Sequence, residues 1–199
     1  MPIDHVQNRL DETPQDPYLT GQLLIAMPGI GDPRFDKTVI YLCAHSEDGA
    51  MGLVINREFD DLTFPDLLEQ LNIEPAAHLS PILVQFGGPV ESGRGFVLHS
   101  QDYMHDGSLA VDDNVALTAT VDILRAIADG GGPSQRMLAL GYAGWGPGQL
   151  DAEIRANGWL HVEADSNLLF DADLEEKWTL AMGKIGIDPR MLSDSAGHA

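Results

Sequence analysis

The sequence predicts an α+β fold in which β-strands dominate the first part of the chain. Residues 38–45 and 50–56 are apolar, contain β-branched side chains and are joined by the turn sequence SEDG, a pattern that predicts a β-hairpin. Helical periodicity is confined to short segments that are interspersed later. Because strands and helices do not alternate regularly, the order of elements favours an α+β fold over a βαβ series.

Further strands are predicted on both sides of this hairpin from short apolar runs that end at glycine or polar residues. In chain order they are GQLLIAM (21–27), PILVQF (81–86), GFVLHS (95–100), SLAV (108–111), RMLALGY (136–142) and WLHVEA (159–164). A glycine-rich connection, GGPVESGRG (87–95), separates the second of these runs from the third. The strands therefore extend along most of the chain.

Four short helices are predicted from apolar residues at helical spacing, over residues 62–72, 118–130, 148–157 and 173–185. Pro65 lies in the first turn of the first segment, a position that proline favours. Gly130 ends the second segment, where a left-handed residue commonly closes a helix. Asp173 and Glu176 resemble a capping box at the start of the fourth.

The pattern predicts a flexible tail followed by one domain. Residues 1–17 contain three prolines and many polar side chains without periodicity, which is typical of a flexible terminus. No linker interrupts the remaining chain. We therefore expect residues 18–199 to form a single compact domain.

The charge balance argues against direct binding to nucleic acid. The 199 residues include 11 Lys and Arg against 31 Asp and Glu, a formal net charge of −20. The basic residues are scattered singly and form no basic helix or arm. Affinity for DNA depends largely on neutralising phosphates with basic side chains, so a regulatory role would have to be indirect.

The sequence leads us to expect a cytoplasmic protein. Its single cysteine, Cys43, excludes an intrachain disulfide, which fits a reducing compartment. The N-terminal stretch MPIDHVQNRLDETPQDP lacks the apolar segment of a signal peptide. No apolar run approaches the roughly 18 residues that span a bilayer.

Residues 138–160, LALGYAGWGPGQLDAEIRANGWL, place several glycines between a predicted strand and a predicted helix. Such turns can hold a phosphate through backbone N–H groups, but this one lacks the lysine and hydroxyl of a P-loop. Pro147 removes one donor, and two carboxylates in the first helical turn would repel an anion. We therefore predict a strand–turn–helix joint with Trp145 and Trp159 buried against the sheet. An alternative is that Trp145 lines a small pocket.

Cys43, His45 and His99 are candidates for chemistry. Cys43 and His45 are two residues apart in one predicted strand, so their side chains should share a face, and a histidine can activate a thiolate. His99 ends another strand and would converge on them if the two strands were neighbours. A metal site of the His/Cys type is then an alternative, but no ligand spacing supports it. We predict no catalytic residues, no bound metal and no cofactor.

A pocket at the strand ends is the remaining hypothesis for a site. Polar residues flanked by glycine recur where predicted strands end, and such loops commonly carry function. The candidate pocket residues are Cys43, His45, Asn56, Gly87, Gly88, His99, Trp145 and Gln149.

Several long motifs resemble the YqgE/AlgH family of bacterial proteins, and the match covers the chain from about Leu19 onward. They are LTGQLLIAMPGIGDPRFDKTVIYLCAHSEDGAMGLVINR (19–57), FGGPVESGRGFVLHS (86–100), LALGYAGWGPGQLDAEIRANGWL (138–160) and LSDSAGHA (192–199). The resemblance implies an α+β fold containing a barrel-like, mostly antiparallel sheet with several packed helices. It implies no established catalytic residues, and one branch of the family carries a transcriptional-regulator label.

The residues and the resemblance together lead to one function hypothesis and one alternative. We expect a cytoplasmic, non-enzymatic binding protein, or an indirect regulator of transcription, that acts through a protein partner or a small molecule. The alternative is an enzyme or metabolite sensor with its pocket near Cys43, His45, His99 and the glycine loop 141–148. MPGIGDP (27–33), Asn56 and GGP (87–89) would complete that pocket.

Overall fold

The computed structural model describes residues 16–192 and confirms the α+β class. The strands are β1 Gln22–Ala26, β2 Val39–Ser46, β3 Gly49–Val54, β4 Val84–Phe86, β5 Val90–Ser100, β6 Ser108–Ala110, β7 Val115–Thr118, β8 Arg136–Trp145 and β9 Trp159–Glu163. The helices are α1 Phe64–Gln70, α2 Val121–Ala128, α3 Gln149–Arg155 and α4 Lys177–Lys184. A π-helical turn, Asn167–Asp171, precedes α4. Most of the predicted tail, residues 1–15, lies outside the described range.

The nine strands form one curved sheet, an antiparallel half-barrel. Its order is β6-β7-β5-β8-β3-β2-β1-β9, and β4 pairs with β8 outside this path. The pairing of β4 with β8 is parallel, whereas every other strand pairing among the described residues is antiparallel. The predicted hairpin is confirmed as β2 and β3.

Three apolar clusters hold helices against the two faces of this sheet. The first joins most of the strands to the π-helical turn and to α4 through Leu169, Trp178 and Met182. The second seats α1 and α2 against β4, β5 and β8. The third packs Leu150 of α3 and the two tryptophans Trp145 and Trp159 onto the other face of β1, β2 and β3. Burial of these side chains is the main favourable contribution to folding.

Some predicted boundaries are wrong. Residues 118–130 do not begin a helix, because Thr118 ends β7, a four-residue strand that no alternating pattern signals. Strand β5 begins five residues earlier than GFVLHS, since part of the glycine-rich connection pairs with β8. The fourth helix begins at Lys177, and no side chain caps its start, so the predicted capping box is absent.

None of the helices in the described range combines the length and the apolarity needed to cross a bilayer.

Lys177 is a buried cation at the start of α4. Its side chain is 2% exposed, and Nζ donates to the carbonyl oxygen of Leu169 at 3.0 Å, which fastens α4 to the π-helical turn. Burial lowers the pKa of Lys177 to about 8, because a charged ammonium loses hydration there, and the charge of Asp171 offsets this only in part.

We expect Lys177 to contribute a rise in the free energy of unfolding between about pH 8 and the ordinary lysine pKa of 10.5, seen as the difference between the native protein and Lys177→Met, because the raised pKa values of Cys43 and Tyr41 act in the opposite direction in both proteins. Over this window the unfolded chain holds a proton on Lys177 that the folded protein has released, so raising the pH favours the folded state. The rise amounts to about 2 to 3 kcal/mol. Urea denaturation of the native protein and of Lys177→Met at both ends of the window measures it. Parallel pH profiles for the two proteins would contradict the expectation.

Candidate ligand-binding cleft

Cys43 and His45 lie on opposite faces of β2, so the prediction that they share a face is wrong. Leu42 pairs with Gly52 and Ala44 pairs with Met51, which leaves Cys43 as the extra residue of a β-bulge. Cys43 packs in the first apolar cluster, whereas His45 Nε2 lies 3.5 Å from Asp151 Oδ2 of α3 on the other side. The bulge reverses the alternation of the strand because it adds one unpaired residue.

His99 does not converge with either residue. It lies on β5, and strands β8 and β3 separate β5 from β2. Its ring is fully buried, with Nδ1 2.8 Å from the carbonyl oxygen of Ser100 and Nε2 2.7 Å from Thr118 Oγ1. Burial lowers the pKa of His99. The described residues contain no cluster of His, Cys, Asp and Glu that could hold a metal ion.

Cys43 is poorly suited to nucleophilic chemistry. The thiol is 4% exposed, and burial raises its pKa to about 12. At about pH 8 only about one thiol in ten thousand is then ionised. We expect the native protein to resist iodoacetamide at this pH and the urea-unfolded chain to react within minutes. Mass spectrometry of the quenched reactions measures both rates, and equal rates would show that Cys43 is accessible and activated.

The predicted pocket residues Asn56, Gly87 and Gly88 contact the backbone of neighbouring segments and so have a structural role. Asn56 Oδ1 accepts the Val39 N–H at 2.9 Å, and its Nδ2 donates to the carbonyl oxygen of Lys37 at 2.9 Å. A Cβ atom on Gly87 or Gly88 would collide with the backbone of β8, so only glycine allows the two chain segments to approach so closely. None of the three residues lines the cleft described next.

A cleft of about 640 Å³ lies between the loop that follows β1 and helix α3. Apolar side chains from this loop, Ile30 and Phe35, face the cleft. Trp145 and Gln149 also line it, together with residues 28–32 and Pro89, so the structure brings these parts of the predicted pocket together. The glycine stretch forms the predicted strand–turn–helix joint, because β8 ends at Trp145 and α3 begins at Gln149.

Glu153 organises the floor of this cleft. Its Oε2 accepts both indole N–H groups, from Trp145 at 2.9 Å and from Trp159 at 2.8 Å, and its Oε1 accepts the Gln149 amide at 3.0 Å. The two indole rings meet edge to face with their centroids 6.0 Å apart, and Phe35 meets Trp159 in the same way at 5.7 Å. These contacts fix the carboxylate in one position.

The charges lining the cleft leave one carboxylate without a counter-ion. Asp32 and Arg34 form an ion pair at 2.6 Å and neutralise each other at the rim. Among the described residues no basic side chain pairs with Glu153. The cleft therefore carries a net charge of about −1.

The sequence argument missed Glu153 as a lining residue. A usable signal was present, because Glu153 follows Gln149 by one helical turn and so shares its face of α3. The meeting of Trp145 and Trp159 on a single carboxylate depends on how β8 and β9 pack around α3 and has no local pattern.

Comparison with known proteins gives consistent matches over nearly the whole chain. The AlgH-like family model matches residues 23–190. A UPF0301 protein of Rhodospirillum rubrum is 61% identical over 182 residues, which cover 92% of this chain and 95% of the relative. A UPF0301 protein of Bradyrhizobium diazoefficiens is 57% identical over 190 residues, covering 92% of this chain and 89% of the relative.

Solved structures share the fold. The solution structure of the AlgH protein from Pseudomonas aeruginosa matches with a TM-score of 0.77 and 43% identity, covering 95% of this chain and 99% of that one. A crystal structure of a Corynebacterium diphtheriae protein matches with a TM-score of 0.65 at 21% identity, over 89% of this chain and 90% of that one, and shows the fold alone. The family model, the relatives and the curved antiparallel sheet agree with one another: the chain belongs to the AlgH-like family.

Proposed function

We propose that this is a cytoplasmic, non-enzymatic binding protein, a single domain over residues 18–199, whose cleft takes a small organic molecule bearing a cationic group. The observation that carries the proposal is the Glu153 carboxylate, which lines the cleft and has no basic partner among the described residues. A carboxylate offers about four acceptor sites, and the indole and amide donors use three of them. One site on Oε1 is left for a donor from the ligand.

The remainder of the cleft fits the body of such a molecule. A volume of about 640 Å³ lies in the range of small-molecule sites, which combine apolar walls with a few convergent polar groups. Ile30, Phe35 and Pro89 supply apolar wall, and Glu153 supplies the fixed polar group. An ammonium N–H on a carboxylate makes a charge-assisted hydrogen bond, about twice as strong as a neutral one.

The lining also supports binding rather than catalysis. Within the described residues no serine, threonine, tyrosine, cysteine, histidine or lysine lines the cleft. Its two carboxylates are already engaged, Asp32 with Arg34 and Glu153 with the indoles. A nucleophile beside a positioned base, which covalent catalysis needs, is therefore missing from this lining.

A role in transcription would be indirect on this proposal. A net charge of −20 opposes contact with DNA phosphates, so a regulatory effect would pass through the bound molecule or a protein partner. Measurable affinity for duplex DNA at about 150 mM salt would contradict this part of the proposal.

Isothermal titration with two probes of similar shape tests the cleft. We expect benzylammonium to bind at least about tenfold more tightly than benzyl alcohol, because only the ammonium pairs with Glu153. Glu153→Gln keeps an acceptor for the indoles and removes the charge, so it should abolish this preference.

Asp151→Asn is the matched control, since it removes one carboxylate from the same helix but outside the cleft. It should leave the preference unchanged. Equal binding of the two probes, no binding of either, or an equal loss in both variants would overturn the proposed site.

A further inference from the structure

An apolar groove of about 660 Å³ lies on the other face of the sheet, between the β2–β3 hairpin and β5. Met51, Phe96 and Tyr142 form its floor, and the rings of Phe96 and Tyr142 meet edge to face with centroids 5.8 Å apart. Arg94 lies over the Phe96 ring at 5.2 Å and borders the groove. The groove is shallow and open, so a bound chain would keep part of its surface in water.

The groove adjoins the cleft that contains Glu153. Val90, Gly144 and Trp145 line both cavities, so the two meet around the free margin of β8. Gly144 is exposed at this junction and has no side chain to close it. A Cβ atom there would lie 3.3 Å from Tyr142 Cε2 and 3.9 Å from Val90 Cγ2, beside two residues of the groove at this junction.

We propose that the ligand is a cationic amphiphile, with its ammonium group at Glu153 and an unbranched apolar tail that passes Gly144 into the groove. The inference rests on the proposed function and adds the chemical class of the ligand. Two properties favour this occupant: the charge at one end complements an ammonium, and the other end offers the apolar surface of Met51, Phe96 and the Tyr142 ring, with Ser46, Asp48 and Arg94 also in the lining. Removing apolar surface from water supplies affinity in proportion to the area covered.

A series of straight-chain alkylammonium ions, from butyl to decyl and kept below the concentration of micelle formation, tests the inference by isothermal titration. A fully buried methylene is worth about a fourfold change in affinity, and an open groove covers about half of each one, so we expect about twofold per methylene. Across the series this gives an increase of about fiftyfold.

Gly144→Leu should close the passage. The backbone of Gly144 is not in the left-handed region, so a leucine there adds no backbone strain. Its side chain would contact the ring edge of Tyr142. We expect the increase in affinity with chain length to be lost in Gly144→Leu. Met51 lines the groove and not the cleft, so Met51→Gln should reduce the increase per methylene while benzylammonium still binds within about threefold of the native affinity. Gly183→Leu, at an exposed helical glycine with nothing within 4 Å, should change neither quantity.

The outcomes separate this inference from the proposed function. If benzylammonium binds through Glu153 but affinity does not rise with chain length, the amphiphile is excluded and the cationic site stands. A rise with chain length that persists in Gly144→Leu places the tail elsewhere and also overturns the inference. If no ammonium ion binds, or if Glu153→Gln leaves all affinities unchanged, both proposals fail.

Discussion

Replacing Gly141 with alanine is expected to lower the free energy of unfolding by more than about 4 kcal/mol, enough to prevent folding of a marginally stable domain. Gly141 sits in β8 with φ +73°, and a Cβ atom there would collide with the carbonyl oxygen of Gly88. The collision is between backbone segments, which cannot move aside as the end of a side chain can. Recovery of soluble protein and urea denaturation measure the effect.

Gly130→Ala separates this collision from the cost of the left-handed backbone. Gly130 follows α2 with φ +86°, similar to that of Gly141, but a Cβ atom there meets nothing within 4 Å. We expect it to cost only about 1 kcal/mol. Similar losses in the two variants would show that the approach of residues 87–88 to β8 is not the cause.

Replacing Glu153 with alanine is expected to cost about 4 kcal/mol of folding stability. The change leaves two indole N–H groups, on Trp145 and Trp159, without an acceptor, and both rings are at least nine-tenths buried. Each buried donor without a partner costs about 1 to 3 kcal/mol. Urea denaturation followed by circular dichroism measures the loss.

Two further variants test whether the loss of stability comes from the hydrogen bonds to the indoles. Arg155→Ala, on the exposed side of the same helix, should change stability by less than about 0.5 kcal/mol. Glu153→Gln should recover most of the loss because its amide oxygen can still accept from the indoles. If the glutamine variant is as unstable as the alanine variant, the charge rather than the acceptor geometry supports the fold.

Much of the strand framework and the joint at residues 138–160 could be predicted, because burial leaves apolar runs that end at glycine and turn residues. The placement of Cys43 and His45 on opposite faces of β2 could not be predicted. Alternation along a strand holds only while each residue has one partner, and nothing in IYLCAH marks the extra residue of the bulge. Likewise, the burial of His99 depends on the pairing of β5 with β7, which brings its ring to Thr118. Only the sheet order brings these two strands together.

The residues of the candidate site also divide into those that could be predicted from the sequence and those that could not. Trp145 and Gln149 could be proposed from sequence because they flank a glycine-rich turn at the start of a helix. MPGIGDP (27–33) could be proposed on similar grounds, and Glu153 shares the helix face of Gln149. The approach of this loop to α3 depends on packing between segments distant in the chain, which no local pattern encodes. Conversely, Asn56, Gly87 and Gly88 had the composition of a binding loop, but their hydrogen bonds and close contacts serve the backbone.

The shared acceptor on Glu153 gives the protein a built-in spectroscopic probe. The chain has three tryptophans, and two of their indole N–H groups point at one carboxylate in the cleft. The third, on Trp178, donates to the carbonyl oxygen of Ala26 at 3.0 Å and does not line the cleft. In a nitrogen-15 correlation spectrum, occupation of the cleft would shift two indole resonances together and leave the third as an internal reference. Ligand screening could therefore be read directly from three peaks, without a label on the ligand.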